Sequence, residues 1–292
     1  MTRSGFVALA GRANVGKSTL VNAIVGDKVS IVSDKPQTTR RAVRGVATGA
    51  DWQLVLVDLP GVQRPRDQLT QRMQRRVEAE LSDADAALVV VNGEQGVGPG
   101  DRFTAGAVAG AGVPATLAVN KVDRLDRARI AAALEATAAL DPEAEVFPVS
   151  ARTGAGVGAL VDHLVSLLPE GPFFFDARTR SDQSTQVEIA ELVREQVLAR
   201  TRQEVPHAVE VQIDEIERAP GLVHVRAFVW TETDSQKGIL IGAAGRMIKA
   251  IGAAARRELE RRLGCQVNLV LTVRVRRRWR ADEALLDRLG ID

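Results

Sequence analysis

A glycine-rich segment near the N-terminus has the residue types needed to bind phosphate. Residues 11–18 read Gly-Arg-Ala-Asn-Val-Gly-Lys-Ser, which fits the phosphate-loop pattern G-x-x-x-x-G-K-[ST]. The apolar run Phe6–Ala10 precedes it and a helical pattern follows it, so backbone N–H groups and a helix N-terminus can face an anion. Lys17 would reach the β- and γ-phosphates of a nucleotide, and the Ser18 hydroxyl would bind Mg²⁺. The predicted nucleotide contacts in this loop are Gly11, Asn14, Val15, Gly16, Lys17, Ser18 and Thr19.

A second motif, Asp58-Leu59-Pro60-Gly61, ends the apolar run Leu54–Val57 and supplies the metal side of the site. Asp58 can hold Mg²⁺ through water, and the Gly61 backbone N–H can meet a γ-phosphate. Between the two motifs, a threonine hydroxyl can close over Mg²⁺ and the γ-phosphate before hydrolysis and release them afterwards. Thr39 is favoured over Thr38 for this role. The predicted catalytic residues are Lys17, Thr39 and Gly61, and the predicted metal ligands are Ser18, Thr39 and Asp58.

The motif Asn120-Lys121-Val122-Asp123 predicts that the base of the nucleotide is guanine. The Asp123 carboxylate can accept both N1–H and N2–H of guanine, whereas adenine has no matching pair of donors and would leave the carboxylate desolvated and unpaired. Asn120 supports the loop and the base edge, and the stem of Lys121 covers the ring. Ser150 and Ala151 open a later Ser-Ala-Arg-Thr-Gly segment, in which the Ala151 N–H is expected to close the base pocket.

Five short aliphatic runs alternate with helical patterns up to Leu168. This alternation predicts an α/β domain with a mostly parallel sheet and helices on both faces. The run Ala42–Thr48 alternates polar and apolar residues, which predicts an antiparallel edge hairpin with Leu54–Val57. The motifs follow successive strands, where open α/β sheets bind ligands. The predicted strands are Phe6–Ala10, Leu54–Val57, Ala86–Val91, Ala115–Val119 and Val146–Val149, and the predicted helices are Lys17–Val25, Gln68–Leu81, Asp101–Ala111, Asp126–Leu140 and Val157–Leu168.

After a Pro- and Gly-rich boundary at Leu168–Pro172 the order of elements changes to α-β-β-α-α-β, which predicts a compact α+β domain. The stretch from Lys237 to Arg280 holds 12 basic and two acidic residues, a net charge of +10, which favours a polyanionic partner. The predicted elements are a helix at Ser184–Arg200, strands at Ala208–Ile216 and Leu222–Glu232, a short apolar piece at Gly238–Ile241, a helix at Met247–Leu263, a strand at Gln266–Val275 and a closing helix at Asp282–Leu289.

The basic stretch contains a G-x-x-G sequence between two helical patterns. KH domains use such a loop to clamp a nucleic-acid backbone, because glycines let the chain approach phosphates closely. A helix–turn–helix corner would also explain the glycines, and a solvated helix face would explain the charge. Trp279 at the end of the stretch either stacks on a base or packs in the core. The predicted RNA contacts are Lys237, Gly242, Ala243, Ala244, Gly245, Arg246 and Lys249.

Together these motifs resemble those of the Era family of translation GTPases. The resemblance rests on Gly-Arg-x-Asn-Val-Gly-Lys-Ser, Gln-Thr-Thr-Arg, Asp-x-Pro-Gly, Asn-Lys-x-Asp and Ser-Ala-x-Thr-Gly. The second region resembles the type II KH domain at the C-terminus of that family, so the likeness covers nearly the whole chain. It implies a GTPase that uses Mg²⁺, binds small-subunit ribosomal RNA near its 3′ end and acts in assembly of the 30S subunit.

The chain departs from the family pattern at two places. Leu59 stands where the family usually has threonine, and Ala243-Ala244 stands where many members carry a polar or basic pair. Val62 occupies the position of the water-orienting glutamine of Ras-like GTPases, which predicts slow intrinsic hydrolysis. Asn14 matches an asparagine that helps related GTPases hold a monovalent cation, so K⁺ is expected to accelerate turnover.

Length and composition limit the classes of protein that the chain can belong to. Its 292 residues are enough for about two domains, and 45% hydrophobic with 26% charged residues is typical of a globular protein. A lone cysteine, Cys265, excludes an internal disulfide framework and a multi-cysteine zinc site. The longest apolar run, Ala86–Val91, is too short for a membrane span, and the N-terminus lacks a signal-peptide pattern. We therefore expect a cytoplasmic protein, with partial association with a membrane surface left open.

The predicted organisation is a GTPase domain at 1–170, a linker at 171–183 and a type II KH domain with a C-terminal tail at 184–292. No obligate oligomer is evident from the sequence. Two alternatives remain open at this point. One is a GTPase switch whose C-terminal domain binds a protein or membrane surface rather than specific RNA. The other is an RNA-binding module that holds GTP without turning it over.

Overall fold

A computed structural model describes residues 1–62 and 65–291 of the chain and divides it into two compact units. The first comprises Met1–Asp182 together with Ile291, and the second comprises Gln183–Gly290. The first boundary differs from the predicted one, because residues 171–182, for which the sequence predicts a linker, belong to the first unit. The end of the predicted tail, at Ile291, is likewise grouped with the first unit.

A six-stranded sheet forms the centre of the first unit. Its strand order is β2-β3-β1-β4-β5-β6, and every neighbouring pair is parallel except the antiparallel pair of β2 and β3. The predicted α/β fold with a mostly parallel sheet is confirmed, and so is the antiparallel edge hairpin. The strands are β1 (Arg3–Ala10), β2 (Val43–Thr48), β3 (Trp52–Asp58), β4 (Ala86–Asn92), β5 (Ala115–Asn120) and β6 (Glu145–Pro148).

Helices cover both faces of this sheet and enclose two separate apolar cores. One core contains residues from the first and fifth helices, and the other contains residues from the second and third. Glycines in the left-handed region of φ and ψ, Gly16 and Gly26, stand at the two ends of the first helix, which therefore has the predicted bounds. The helices are α1 (Lys17–Val25), α2 (Gln68–Ser82), α3 (Pro99–Ala111), α4 (Arg127–Ala138) and α5 (Val157–Leu167).

Residues 169–182, which we call the strap, run along the first unit instead of leaving it. The buried side chain of Gln53 in β3 holds the middle of the strap: its Nε2 donates to the Phe175 carbonyl at 2.9 Å and its Oε1 accepts the Phe175 N–H at 2.9 Å. Further along, the N–H of Val46 in β2 donates to the Arg180 carbonyl at 2.9 Å. These hydrogen bonds, two from the Gln53 side chain and one from the β2 backbone, explain why the predicted linker folds as part of the first unit.

The second unit has a three-stranded sheet in the order β7-β8-β9, with β7 and β8 antiparallel and β8 and β9 parallel. The predicted α-β-β-α-α-β order is present. The apolar piece at Gly238–Ile241 is the second half of a helix that Thr233 and Gln236 cap. The elements are α6 (Thr185–Arg200), α7 (Val205–Ala208), β7 (Glu210–Ala219), β8 (Leu222–Thr231), α8 (Asp234–Ile241), α9 (Arg246–Leu263), β9 (Gln266–Val275) and α10 (Glu283–Arg288).

The core of the second unit lies between one face of its sheet and helices α6 and α9. Val193 and Val197 of α6 and Ile251 and Leu259 of α9 are fully buried there. Trp279 is also fully buried, and its Nε1 donates to the Ala208 carbonyl at 2.8 Å. Of the two roles that the sequence leaves open for Trp279, packing in the core is therefore the correct one.

Within residues 1–62 and 65–291, no single helix is long and apolar enough to cross a membrane. The segments Asp234–Ile241 and Ala243–Leu263 meet the length and composition test only when counted together, and they are bent by 43° relative to each other.

Candidate nucleotide site and nucleic-acid surface

Lys17 is buried at the centre of the phosphate loop. Its Nζ donates to the carbonyl oxygens of Gly11, at 2.9 Å, and Arg12, at 3.0 Å. Burial lowers the pKa of Lys17 from 10.5 to about 8, while the negative charge of Asp58 acts in the opposite direction. The backbone carbonyls therefore offset only part of the cost of burying the ammonium group. A bound anion would favour the charged form of Lys17 and raise its pKa again.

The loop also depends on a glycine at position 16. Gly16 has a φ of 100°, and a Cβ atom there would lie 2.4 Å from Nδ2 of Asn120. Only glycine tolerates both the backbone conformation and this close approach.

Two hydroxyls meet on the metal side of the site. Oγ of Ser18 lies 3.1 Å from Oγ1 of Thr39. Thr38 is occupied elsewhere, because its hydroxyl donates to the Lys35 carbonyl at 2.6 Å. The geometry therefore places Thr39, rather than Thr38, beside the predicted Mg²⁺ ligand Ser18.

Asp58 completes this group with a carboxylate that is fully buried. Neither of its oxygens has a hydrogen-bond partner among the residues that the structure describes. Burial raises the pKa of Asp58, and the charge of Lys17 and the hydroxyls of Ser18, Ser30 and Thr39 oppose the rise. An orphaned carboxylate beside two hydroxyls matches the oxygen ligands that Mg²⁺ prefers, so these residues fit the ion.

The chain beyond Asp58 returns to the phosphate loop. The Val62 N–H donates to the Gly11 carbonyl at 3.2 Å, and a Cβ at Gly61 would lie 3.0 Å from the Ala13 nitrogen. The Val62 side chain is buried in the apolar core under α2, so it does not face the phosphate site. The remainder of this loop includes residues 63 and 64, which lie outside the described ranges.

One side chain, Asn120, ties the base-binding loops to the phosphate loop. Its Nδ2 donates to the Val15 carbonyl at 2.9 Å. Its Oδ1 accepts the Lys121 N–H at 2.8 Å and the Ala151 N–H at 3.0 Å. The Ala151 N–H, which the sequence predicts to close the base pocket, donates here to Asn120, and its contact with a base stays a prediction.

Asp123 lies at the end of the pocket where guanine is expected. Oδ1 accepts a hydrogen bond from Ser150 Oγ at 2.6 Å, and Oδ2 accepts two from Arg152, Nε at 3.0 Å and Nη2 at 2.7 Å. The Ser150 hydrogen bond and the Arg152 guanidinium lower the pKa of Asp123, so the carboxylate stays ionised. The role of Arg152 as a partner of Asp123 was not predicted from the sequence. Its only signal was its place next to Ala151 in the loop.

Lys121 bridges the same pocket from its other side. The residue has a φ of 68°, and its Nζ donates to the Asn14 carbonyl at 2.9 Å. Its stem therefore crosses between the base loop and the phosphate loop, consistent with the predicted position over a base. The Asn14 side chain donates to the Asp34 carbonyl at 2.7 Å, which leaves the amide oxygen of Asn14 as an acceptor.

In the second unit, the G-x-x-G loop joins α8 to α9. Gly242 and Gly245 have φ values of 68° and 74°, and a Cβ at Gly242 would lie 2.8 Å from Met247 Cβ. Ala244, between them, has a φ of 52°, a left-handed conformation that is strained for alanine. The predicted RNA contacts Ala243, Ala244, Arg246 and Lys249 are exposed, and Lys237 is half-buried.

A groove of about 420 Å³ lies beside this loop, between α9 and the edge strand β9. Ile248 and Leu269 give it apolar walls, and Lys249 and Arg256 place cations along it. The cations on α9 were predicted from the sequence but the β9 side of the groove was not, since a groove formed by two distant segments has no local pattern. The groove also includes Asn268, Val270 and Leu271.

The phosphate loop, metal side and guanine motif of the first unit define a P-loop GTPase domain, and the second unit has the element order and loop of a KH domain. A family model described as "50S ribosome-binding GTPase" matches residues 6–121, and a KH domain model matches residues 204–280. GTPase Era of Lactobacillus helveticus (strain DPC 4571) is 41% identical over 291 residues, which cover 99% of this chain and 96% of the relative. GTPase Era of Mycolicibacterium smegmatis (strain ATCC 700084 / mc(2)155) is 42% identical over 294 residues, covering 99% and 98%. The chain belongs to the Era family of GTPases.

Two solved structures have the same fold over the full length. Era in complex with MgGDPNP and nucleotides 1506–1542 of 16S ribosomal RNA matches with a TM-score of 0.97 and 33% identity, covering 100% of this chain and 99% of that one. A variant of Aquifex aeolicus Era bound to GDP and aluminium fluoride matches with a TM-score of 0.96 and 33% identity, covering 99% of both chains.

Proposed function

We propose that this GTPase couples GTP binding and hydrolysis to the binding of small-subunit ribosomal RNA near its 3′ end, and that it acts in assembly of the 30S subunit. The observation that carries the proposal is the exposed G-x-x-G loop that opens onto a groove with cationic residues. The fold shared with the Era–16S RNA complex over the whole chain supports the same RNA as the partner.

In the first unit, we assign each side chain a role in binding GTP and hydrolysing it to GDP and phosphate. Lys17 neutralises charge on the β- and γ-phosphates, with the Gly61 N–H as a further donor. Ser18, Thr39 and Asp58 would hold Mg²⁺, which when bound neutralises charge on the phosphate oxygens. Val62 is buried and apolar, so hydrolysis depends on positioning and electrostatics and is slow.

Guanine selectivity is assigned to Asp123. The pKa of this carboxylate is lowered, so it remains an acceptor-only group at neutral pH. Guanine offers it two N–H donors, while adenine would leave it without compensation. Ser150 and Arg152 hold the carboxylate from behind, and the stem of Lys121 covers the base.

In the second unit, we assign the RNA backbone to the G-x-x-G loop and the bases to the groove. Ala243 and Ala244 have no polar side-chain atoms, so contacts to phosphate rely on backbone N–H groups and on Arg246 and Lys249. Affinity at this surface should therefore depend on these two cations and fall with salt.

The test is a titration of a single-stranded RNA with the 3′-terminal 16S sequence against protein loaded with a non-hydrolysable GTP analogue or with GDP. The double variant Arg246→Ala, Lys249→Ala should weaken RNA binding. It should also reduce the slope of log K against log salt concentration by the amount expected for the loss of about two phosphate contacts. Arg261→Ala is the matched control, because Arg261 is exposed on the same helix and paired with Glu258. A scrambled RNA that binds equally well would refute specific recognition.

A second candidate function is binding of a membrane or protein surface by the second unit. Two exposed apolar residues favour it: Ile239 of α8 is 49% accessible, and Val270, which lines the groove with Lys249 and Arg256, is 46% accessible. Titrating vesicles that contain anionic lipid at the same salt concentration separates the two functions. We also propose a location in the cytoplasm, with partial membrane association through these exposed apolar residues.

We also propose that K⁺ accelerates turnover through Asn14. The amide nitrogen of this side chain is bonded to Asp34, and its oxygen remains available as a ligand. Hydrolysis should be faster in K⁺ than in Na⁺ at equal ionic strength, and Asn14→Ala should remove the difference. Equal rates in both cations would contradict the assignment.

A further inference from the structure

The face of the second sheet that points away from α6 and α9 has an aromatic and cationic corner. Strand β8 alternates strictly, with Val223, Val225, Ala227 and Val229 on the buried face. On the opposite face, Phe228 and Trp230 of β8 lie next to Arg274 of β9, since Trp230 is in register with Arg274. We call Phe228, Trp230 and Arg274 the outer corner.

The three side chains of the outer corner contact one another. The ring centroids of Phe228 and Trp230 are 5.7 Å apart, and Cζ of Arg274 lies 3.7 Å from the Phe228 centroid. The Trp230 Nε1 donates to Gln212 Oε1 at 3.0 Å, which fixes the orientation of the indole. Flat rings and a guanidinium plane held on a sheet are the kind of surface on which single-stranded RNA stacks its bases.

The charge around the outer corner also favours a polyanion. Arg274, Arg277 and Arg278 are exposed at this end of β9. On the same face, the acidic residue Glu215 is paired with Arg226. Phosphates of an RNA backbone therefore meet net positive charge at the corner.

The outer corner is continuous with the RNA groove. Asn268 and Val270 of β9 line the groove, and they alternate onto the same face of the sheet as Arg274. Arg274 is four positions after Val270, a distance of about 13 Å along a strand. An RNA strand that leaves the groove over the exposed edge of β9 can thus reach the corner without leaving the protein surface.

We propose that the outer corner is a second binding surface for single-stranded RNA, where a base beyond those held by the G-x-x-G groove stacks on Trp230, Phe228 and Arg274. This inference rests on the proposed RNA-binding function. It assigns a role to the arginines at the end of β9, which the G-x-x-G groove does not use.

The experiment compares two RNAs with the full-length protein: a short one of about five nucleotides, enough to fill a G-x-x-G clamp, and one of about 15 nucleotides that extends it. Trp230→Leu keeps apolar volume but removes the ring, and should weaken the longer RNA about tenfold while leaving the short one unchanged. Trp230→Phe restores a ring and should recover most of the affinity. Arg218→Ala, which removes an exposed cation at the hairpin end of the same sheet, is the control.

Ultraviolet crosslinking of the longer RNA to the unmodified protein provides a readout independent of folding. Crosslinked peptides should include residues 228–230 or 274. Equal affinity of Trp230→Leu and wild type for the longer RNA, or crosslinks confined to the groove, would overturn the proposal and leave the proposed function intact. If neither RNA binds the unmodified protein, the proposed RNA-binding function fails. The proposal that the outer corner binds RNA then fails as well.

Discussion

Raising the pH from about 7 to about 9 is expected to weaken GDP binding about tenfold, because Lys17 loses its proton. In the nucleotide-free protein, the pKa of Lys17 is about 8, since the ammonium is buried against two carbonyls. Phosphate charges favour the ionised form, so binding raises the pKa of Lys17 above its value in the nucleotide-free protein. Binding therefore takes up a proton above about pH 8, where the nucleotide-free protein has lost it, and each pH unit there raises the Kd about tenfold for as long as the complex keeps the proton.

Calorimetry in two buffers of different ionisation enthalpy measures this proton directly. At about pH 8, uptake of about half a proton per GDP is expected, and Lys17→Ala should abolish it. GMP is the matched ligand, because it shares the base and ribose but lacks the β-phosphate that Lys17 reaches. An unchanged Kd between pH 7 and 9, with no proton uptake, would refute the argument that burial depresses the pKa of this lysine.

The lowered pKa of Lys17 also makes the folding stability of the first unit increase with pH. Below pH 8 the buried ammonium destabilises the nucleotide-free first unit relative to the unfolded chain. This destabilisation is relieved as the pH rises from about 8 towards 10.5, since the unfolded chain holds the proton over that interval.

Three further predictions concern the pocket and the G-x-x-G loop. Thr39→Ala should raise the Mg²⁺ concentration that supports half-maximal hydrolysis, whereas Thr38→Ala should not, because the Thr38 hydroxyl is bonded to Lys35; equal shifts in a Mg²⁺ titration would contradict the assignment. Asp123→Asn should weaken GDP binding about 100-fold in a fluorescence titration, since guanine loses a charged acceptor, and an unchanged Kd would show that this carboxylate does not contact the base. Ala244→Gly should stabilise the protein by about 1 kcal/mol in thermal unfolding by relieving a positive φ, and a lower melting temperature would mean that this backbone is not strained.

The sequence predicted the elements whose ends are marked by local chemistry. Glycines with positive φ bracket α1, so its predicted bounds, Lys17–Val25, match the structure. The predicted strand Gln266–Val275 also has the observed bounds, because its alternation is uninterrupted between Gly264 and the arginines that follow. The motif residues follow strand ends, and a parallel sheet brings strand ends together.

The features that the sequence did not predict depend on distant contacts or on mixed patterns. The strap folds onto the first unit through Gln53, which lies 122 residues from Phe175 in the chain and has no periodic signature. In the sequence Arg152 is an ordinary loop residue, because its partner Asp123 lies 29 residues away and only the fold brings the two together. The first turn of α8 is polar, so hydrophobic periodicity detected only its second half, although the capping pair Thr233 and Gln236 was a usable signal.

The strap also protects the first sheet against association with other strands. An edge strand with unpaired N–H and C=O groups can pair with another chain and aggregate. At one edge, residues 180 and 181 of the strap pair with Val46 and Gly45 of β2. The opposite edge, β6, has only four residues and ends in Pro148, which has no N–H to offer. A fragment cut after residue 170 would expose the β2 edge and be prone to self-association, whereas one cut after Asp182 would keep it covered.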